Sequence, residues 1–248
     1  MRKAKFVLTA LIVGGLAHIS FGQVIGNFET LSLDNWDTAG TYGTAPVLSQ
    51  STIGVTLGSY SLASQVAQGA YWGPATGNLA TEGLLGDLET ASTLSYSLTL
   101  NSVALNGGSG SFSGYAQDNA VAINLWDNTT ATSYNLQEAF STGAGDTDSL
   151  NQNAGWNGVD GTRTLTWNLS SFTAGGLTVS QIIAAHPGDS FNSCYITFVE
   201  QAGGGSPVGG PTFYFDDVQL NQVPEPTSLA LAGLGVAGLF GLRRFRKN

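Results

Sequence analysis

The sequence contains few of the residues that disulfide bonding, histidine-based catalysis and nucleic-acid binding require. Its 248 residues include one cysteine, two histidines and eight basic residues. A single cysteine, Cys194, excludes an intramolecular disulfide. Between residues 23 and 222 the only basic residue is Arg163, against sixteen acids, so this region carries a net charge of −15. A surface this acidic repels the phosphate backbone, which excludes nucleic acid as a partner.

The scarcity of histidine limits the catalytic mechanisms open to the chain. His18 lies near the N-terminus, and His186 is the only histidine after it. A Ser–His–Asp triad or a histidine-based zinc site would depend on His186 alone. No G-x-S-x-G, H-E-x-x-H or phosphate-binding glycine motif accompanies it. The sequence therefore predicts a protein that is not an enzyme, although the carboxylate pair of a glycosidase cannot be recognised from sequence.

The N-terminus has the pattern of a secretory signal peptide. Arg2, Lys3 and Lys5 form a basic segment, and an apolar segment follows from Phe6 to Leu16. Small residues near Gly22 suit signal peptidase, so we predict a signal peptide over residues 1–22 and a mature N-terminus at Gln23. The alternative is a permanent N-terminal anchor.

The C-terminus, residues 223–248, has three parts in a fixed order. A rigid tetrapeptide is followed by sixteen uncharged, mainly apolar residues, 227–242, and then by a basic end. As a helix the apolar run measures about 24 Å, so with its flanking residues it predicts a transmembrane helix whose basic end faces the cytoplasm. The alternative is a buried helix of a globular domain. The residues that define the segment are Val223, Pro224, Glu225, Pro226, Arg243 and Arg244.

These three ordered elements resemble the PEP-CTERM sorting signal of Gram-negative bacteria. The resemblance implies that an exosortase recognises Pro224-Glu225-Pro226 after a transient intermediate in the inner membrane. It also implies an exported protein that reaches the cell surface or the extracellular matrix. The signal gives a destination and leaves the function of residues 23–222 open.

Residues 23–222 predict one all-β domain, an antiparallel β-sandwich. Short apolar and polar alternations are separated by loops rich in Gly, Ser, Thr and Asn, as in Leu94, Tyr96 and Leu98. One helix is predicted after Thr178, where Thr178 and Gln181 form a capping box. The candidate strands are Val24–Phe28, Ile53–Leu57, Tyr60–Ala67, Ser92–Leu100, Ser111–Ala116, Ala120–Trp126, Ser133–Phe140, Arg163–Leu169, Ser193–Val199 and Thr212–Leu220.

The two ends of this domain resemble galactose-binding-domain-like jelly rolls, which include many carbohydrate-binding modules. The resemblance lies in Gly26-Asn27-Phe28-Glu29-Thr30 with Trp36, and in Phe213-Tyr214-Phe215-Asp216-Asp217-Val218-Gln219-Leu220. It implies a jelly-roll-like fold whose first and last strands pair. It also implies a structural Ca²⁺ held by Glu29 and Asp217, with Asp216 as the alternative ligand. The alternative is that these acids are solvated strand ends.

Aromatic residues in the loops suggest a binding function. Tyr71 and Trp72 lie in a turn bounded by Gly and Pro, Trp156 lies in a long polar loop, and Trp36 is a further loop aromatic. Such rings stack on sugars, so we predict a non-catalytic module for adhesion to extracellular polysaccharide. The alternatives are a structural matrix protein without a specific ligand and a polysaccharide-degrading enzyme.

Overall fold

The computed structural model describes residues 22–38, 45–67, 73–100, 116–139, 161–186, 190–202 and 212–222, all within one compact unit, Gly22–Gln222. The predicted signal peptide (apart from Gly22) and the whole sorting tail lie outside the described residues. Within the described part of the chain, no helix has the length and apolar character needed to cross a membrane.

The strands of the described residues form two main antiparallel sheets and a small hairpin. The larger sheet has the order β2-β3-β11-β4-β7, with β1 also paired to β11, and the smaller has the order β10-β5-β6. Strands β8 and β9 form the hairpin. The strands are β1 Gln23–Gly26, β2 Val47–Ser51, β3 Ser61–Gln65, β4 Ala91–Leu100, β5 Ala116–Asp127, β6 Thr132–Ala139, β7 Gly161–Asn168, β8 Thr173–Ala174, β9 Leu177–Thr178, β10 Phe191–Ala202 and β11 Thr212–Gln222.

The core lies between the two sheets. Leu94 and Tyr96 of β4 and Ile123 of β5 are completely buried in one apolar cluster. The ring of Tyr96 meets Phe198 of β10 edge to face, with 4.8 Å between ring centroids, and so joins one sheet to the other. The predicted all-β sandwich is therefore confirmed.

The first and last strands pair, as the jelly-roll resemblance implies. Gln23 lies opposite Leu220 and Val24 opposite Gln219 in an antiparallel ladder. Phe28, just after β1, and Phe215 of β11 are both completely buried. The two ends of the domain are thereby fixed in the same sheet.

One predicted strand, Ile53–Leu57, is wrong. The strand at this place is β2, Val47–Ser51, and residues 52–60 form a loop before β3. Gly54 and Gly58 both have positive φ, at +74° and +78°, which glycine adopts without strain and which interrupts an extended strand. The loop also directs its backbone N–H groups to side-chain carboxylates instead of to a neighbouring strand.

The predicted capping box is confirmed. Helix α2, Val179–Ala185, begins after Thr178, whose hydroxyl accepts a hydrogen bond from Gln181 N, while Gln181 Oε1 accepts one from Thr178 N at 2.9 Å. Helix α1, Leu85–Thr90, was not expected from the sequence, because it has six residues, no side-chain cap and one buried residue, Leu88.

Trp36 is not the exposed aromatic that the sequence suggests. It is only 4% exposed. Its ring stacks on that of Phe198, with 5.3 Å between ring centroids, and meets that of Phe28 edge to face, with 5.1 Å between centroids. Its indole N–H donates to the carbonyl of Ile25 at 2.9 Å. Cys194 is buried, and burial raises the pKa of its thiol to about 12.

Candidate functional site

The outer face of the smaller sheet carries exposed aromatic and amide side chains. The inward residues Val121, Ile123 and Leu125 of β5 are buried, so alternation turns Asn124 and Trp126 to the other side. The register places their neighbours from β10 and β6 on that same side. We call this surface the amide–aromatic face; it consists of Asn124, Trp126, Ser133, Asn135, Gln137, Ser193 and Tyr195.

Two aromatic rings stand on this face. Trp126 is 39% exposed, and Tyr195 is half-buried. Ser193 lies opposite Trp126 and Tyr195 opposite Asn124, so the two aromatic residues are diagonal neighbours on adjacent strands. Diagonal neighbours of this kind lie about 7–8 Å apart, close enough for long side chains to act on one ligand.

A row of amides crosses the face beside the rings. Asn135 Nδ2 donates to Asn124 Oδ1 at 2.6 Å, and Asn124 Nδ2 donates to Thr197 Oγ1 at 3.5 Å. These bonds fix the orientation of both amides. Asn135 and the exposed Gln137 on β6 extend the row towards the sheet edge. The face thus offers apolar ring surface together with oriented hydrogen-bonding groups.

The amide–aromatic face contains no charged side chain. At its other end the outward residues Ala120, Ala122, Thr197 and Val199 are buried, so the exposed part lies around Trp126. A ligand of these seven described residues would meet rings, amides and hydroxyls. This chemistry suits a neutral, hydroxylated ligand.

A hydrogen-bonded cluster fixes the end of β5 next to Trp126. Asp127 Oδ2 lies 3.0 Å from His186 Nδ1, and Tyr134 OH lies 3.2 Å from His186 Nε2. The hydroxyl of Thr130 donates to Asp127 Oδ2 at 2.6 Å. This bond is the largest cause of the lowered pKa of Asp127, to which backbone N–H bonds and the nearby His186 also contribute. The cluster ties the β5–β6 turn to the end of α2.

Two of the three acids expected to bind calcium, Glu29 and Asp216, hold the loop between β2 and β3. The carboxylate of Asp216 is completely buried. Its Oδ2 accepts hydrogen bonds from Thr56 N, from Thr56 Oγ1 at 2.9 Å and from Leu57 N at 2.7 Å. Its Oδ1 accepts from Asp217 N at 2.8 Å. Both oxygens therefore face N–H and O–H donors, an arrangement that does not suit a calcium ligand.

The other two acids expected to bind calcium, Glu29 and Asp217, also accept hydrogen bonds. Glu29 Oε1 accepts from Ser59 N at 2.6 Å and from Tyr60 N at 2.8 Å, and Asp217 accepts from the amide of Gln219 through Oδ1. The two bonds to Glu29 both engage Oε1, and the bond to Asp217 engages Oδ1. The described residues contain no group of three His, Cys, Asp or Glu side chains close enough to hold a metal ion. Calcium binding by Glu29 and Asp217 stays a prediction.

The three aromatics predicted to bind a ligand, Tyr71, Trp72 and Trp156, lie outside the described residues, and their role stays a prediction. Trp126 and Tyr195 are not among the aromatic residues predicted from the sequence to bind a ligand. The signal was present, because Val121, Ile123 and Leu125 occupy one side of β5 and Trp126 continues the opposite series.

Comparison with protein families identifies the tail. Residues 222–247 match the PEP-CTERM protein-sorting motif. The resemblance recognised in the sequence is therefore confirmed for the tail, and the motif indicates an exported protein destined for the cell surface. A search of curated proteins finds no match to the chain.

Comparison with solved structures finds similar β-sandwich modules. One is the CBM22-1 xylan-binding domain of Xyn10C from Paenibacillus barcinonensis, with 12% identity, a TM-score of 0.41, and coverage of 82% of this chain and 96% of that domain. Another is the family 11 carbohydrate-binding module of the cellulase Lic26A-Cel5E from Clostridium thermocellum, with 14% identity, a TM-score of 0.41, and coverage of 82% and 95%.

Proposed function

We propose that this is an exported, non-catalytic protein that binds neutral polysaccharide through the amide–aromatic face. The observation that carries the proposal is the exposed Trp126 beside the oriented amides of Asn124 and Asn135. An aromatic ring covers the apolar face of a pyranose, and the amides hydrogen-bond its hydroxyl groups. Both kinds of contact are present on a surface without charge.

The charge of the domain selects the ligand class. Residues 23–222 carry a net charge of −15 with Arg163 as the only Lys or Arg. An anionic polysaccharide would be repelled by this field and would find almost no basic group to neutralise it. A neutral polysaccharide meets no such barrier.

The size of the face supports weak binding at each site. Complete burial of one aromatic side chain contributes about 1.5–3 kcal/mol, and a neutral hydrogen bond contributes about 0.5–1.5 kcal/mol net. Part of this gain offsets the freedom that the ligand loses on binding. Stable adhesion then requires several sites on one polymer or several copies on one surface, as expected for a matrix protein.

The tail and the N-terminus complete the proposed route. A signal peptidase removes residues 1–22, and the apolar run of the tail holds an inner-membrane intermediate in a Gram-negative cell. An exosortase recognises Pro224-Glu225-Pro226 and passes the domain to the cell surface or the matrix. The PEP-CTERM motif at residues 222–247 supports this route.

Two further parts of the proposal come from the sequence. Tyr71, Trp72 and Trp156 add aromatic contacts to the polysaccharide. A structural Ca²⁺ is held by Glu29 and Asp217, which would offset the repulsion between carboxylates near the ends of the domain.

Retention on polysaccharide tests the proposed face. We expect the full-length chain to be retained on at least one insoluble neutral glycan, and Trp126→Ala to weaken retention about tenfold or more. Tyr60→Ala is the matched control, because Tyr60 is also 39% exposed and lies away from the face. Equal loss in both variants, or no loss in Trp126→Ala, would contradict the proposal.

The same incubations separate the two alternatives. New reducing ends that disappear when one carboxylate is replaced would make the protein a polysaccharide-degrading enzyme. Absence of retention on every glycan, with the fold intact by circular dichroism, would leave a structural matrix protein without a specific ligand.

A further inference from the structure

A cavity lies away from the amide–aromatic face. It has a volume of about 430 Å³ and is formed by the end of β1, the loop that follows it and the turn before α1. This volume is within the usual range of small-molecule sites, about 300–1,000 Å³. Its lining shares no residue with the amide–aromatic face and includes Asn27, Ser32, Asp34, Asn35, Glu82 and Leu84.

The loop on one side of the cavity has an unusual backbone. Leu33, Asp34 and Asn35 have φ values of +52°, +53° and +63°, three consecutive non-glycine residues in the left-handed region. The carboxylate of Asp34 holds this shape, since Oδ2 accepts from Asn27 N at 2.9 Å and from Phe28 N at 2.6 Å. Left-handed backbone costs roughly 1–2 kcal/mol per residue. The carboxylate of Asp34 therefore maintains the strained loop, and its hydrogen bonds to the backbone occupy it in place of a ligand.

On the opposite side, the carboxylate of Glu82 is held in place. Asn35 Nδ2 donates to Glu82 Oε1 at 3.1 Å, which links the strained loop to the turn before α1. Gly77 lies directly against the same carboxylate, where a Cβ atom would collide with Glu82 Oε1. The amide of Asn35 thus holds one oxygen of Glu82, and Gly77 leaves the space that this carboxylate occupies in the lining of the cavity.

The chemistry of the lining selects a ligand class. Asn27, Asn35 and Ser32 supply amide and hydroxyl groups, Glu82 supplies an acceptor, and Leu84 supplies apolar surface. Among the described residues that line the cavity there are two acids, Asp34 and Glu82, and no Lys or Arg, so a phosphate, a sulfate or a carboxylate group would be repelled. Groups that both donate and accept hydrogen bonds match this lining, and a sugar presents such hydroxyls around an apolar ring.

We infer that this cavity is a second saccharide site, which takes one or two rings of a neutral sugar. It stands on different elements from the amide–aromatic face and does not depend on the function proposed for that face. A consequence that does rest on the proposed function is that one domain would hold two glycan segments, one at the cavity and one at the amide–aromatic face, and so cross-link polysaccharide chains instead of only coating them.

Binding of small neutral sugars to the full-length chain tests the inference. The probes are cellobiose, xylobiose and lactose, with glucosamine as a cationic comparison. Their binding is measured by calorimetry and by saturation-transfer NMR. We expect at least one disaccharide to bind. Ser32→Trp, which fills the cavity from its rim, should weaken that binding at least tenfold, and Glu82→Ala should weaken it in the same direction. Leu31→Trp is the matched control, because Leu31 is 92% exposed and does not line the cavity.

The outcomes separate this site from the amide–aromatic face. Disaccharide binding that survives Trp126→Ala and is lost in Ser32→Trp supports the cavity, whatever happens to polysaccharide retention. Binding lost in Trp126→Ala and unchanged in Ser32→Trp overturns the inference while the proposed function stands. Absence of binding to every disaccharide, binding of glucosamine alone, or equal losses in Ser32→Trp and Leu31→Trp would also overturn it.

Discussion

Replacement of Asp216 by Asn tests how the loop between β2 and β3 is held. The buried carboxylate accepts hydrogen bonds from Thr56 N and Leu57 N on Oδ2, and from Asp217 N on Oδ1. An Asn side chain presents one oxygen and one NH₂ group. Whichever way it is turned, the NH₂ group faces at least one backbone N–H, and that donor loses its partner.

The structure gives the size of the effect. A hydrogen bond to a charged group contributes about 1.5–3 kcal/mol, and an orphaned buried donor costs about 1–3 kcal/mol. The loop can open to water and recover part of this loss, so we expect Asp216→Asn to lower the free energy of unfolding by about 3 kcal/mol. For a domain of this size, 1 kcal/mol corresponds to about 2–4 °C, which places the drop in melting temperature at roughly 6–12 °C.

Thermal unfolding in the presence of a chelator is the assay, because it removes any effect of calcium. Asp217→Asn is the control, since Asn keeps an acceptor for Gln219 and tolerates the φ of +51° at this position. We expect that control to change the melting temperature by no more than about 2 °C in chelator. A drop below 3 °C for Asp216→Asn, or equal drops in both variants, would refute the assignment of Asp216 to backbone donors.

Three other predictions concern pH, calcium and sorting. The pKa of Asp127 is lowered below 3.8, chiefly by the hydrogen bond from the Thr130 hydroxyl. The ionised carboxylate therefore contributes its full stabilisation above pH 3.8, and this stabilisation is lost as the pH falls through the folded-state pKa. Asp127→Asn should flatten this part of an acid-unfolding curve. Calcium should raise the melting temperature, and Glu29→Gln should abolish the rise; no change up to millimolar calcium would contradict the calcium prediction. Replacement of Pro224-Glu225-Pro226 by alanines should leave the chain uncut in the membrane, and an intact mass that still includes the tail in surface-extracted wild-type protein would contradict exosortase cleavage.

The sequence predicts the strands well where one face is apolar and the other polar. Leu94, Tyr96 and Leu98 alternate with Ser and Thr, and all three are completely buried. The same reasoning fails at Ile53–Leu57, whose apolar residues resemble a strand. There, long-range hydrogen bonds to Asp216 decide the backbone, and a partner 160 residues away in the chain leaves no local pattern.

The candidate site was harder to predict, because exposure depends on packing. Trp36 lies in a loop by sequence, yet Phe28 and Phe198 enclose its ring. Trp126 lies in a strand, yet it is exposed, because the alternation of β5 turns it outward. Loop position is therefore a poor guide to an exposed ring, and strand register is a better one.

The acidic composition explains a feature shared by several parts of the fold. With one Arg and no Lys between residues 23 and 222, carboxylates cannot be balanced mainly by ion pairs. Glu29, Asp34, Asp127 and Asp216 instead accept hydrogen bonds from backbone N–H groups, and each of them holds a turn or loop. Hydrogen bonds from N–H donors to a carboxylate are roughly twice as strong as those between neutral groups. The acids thus fix the loops of a domain that, with a single cysteine, has no intramolecular disulfide.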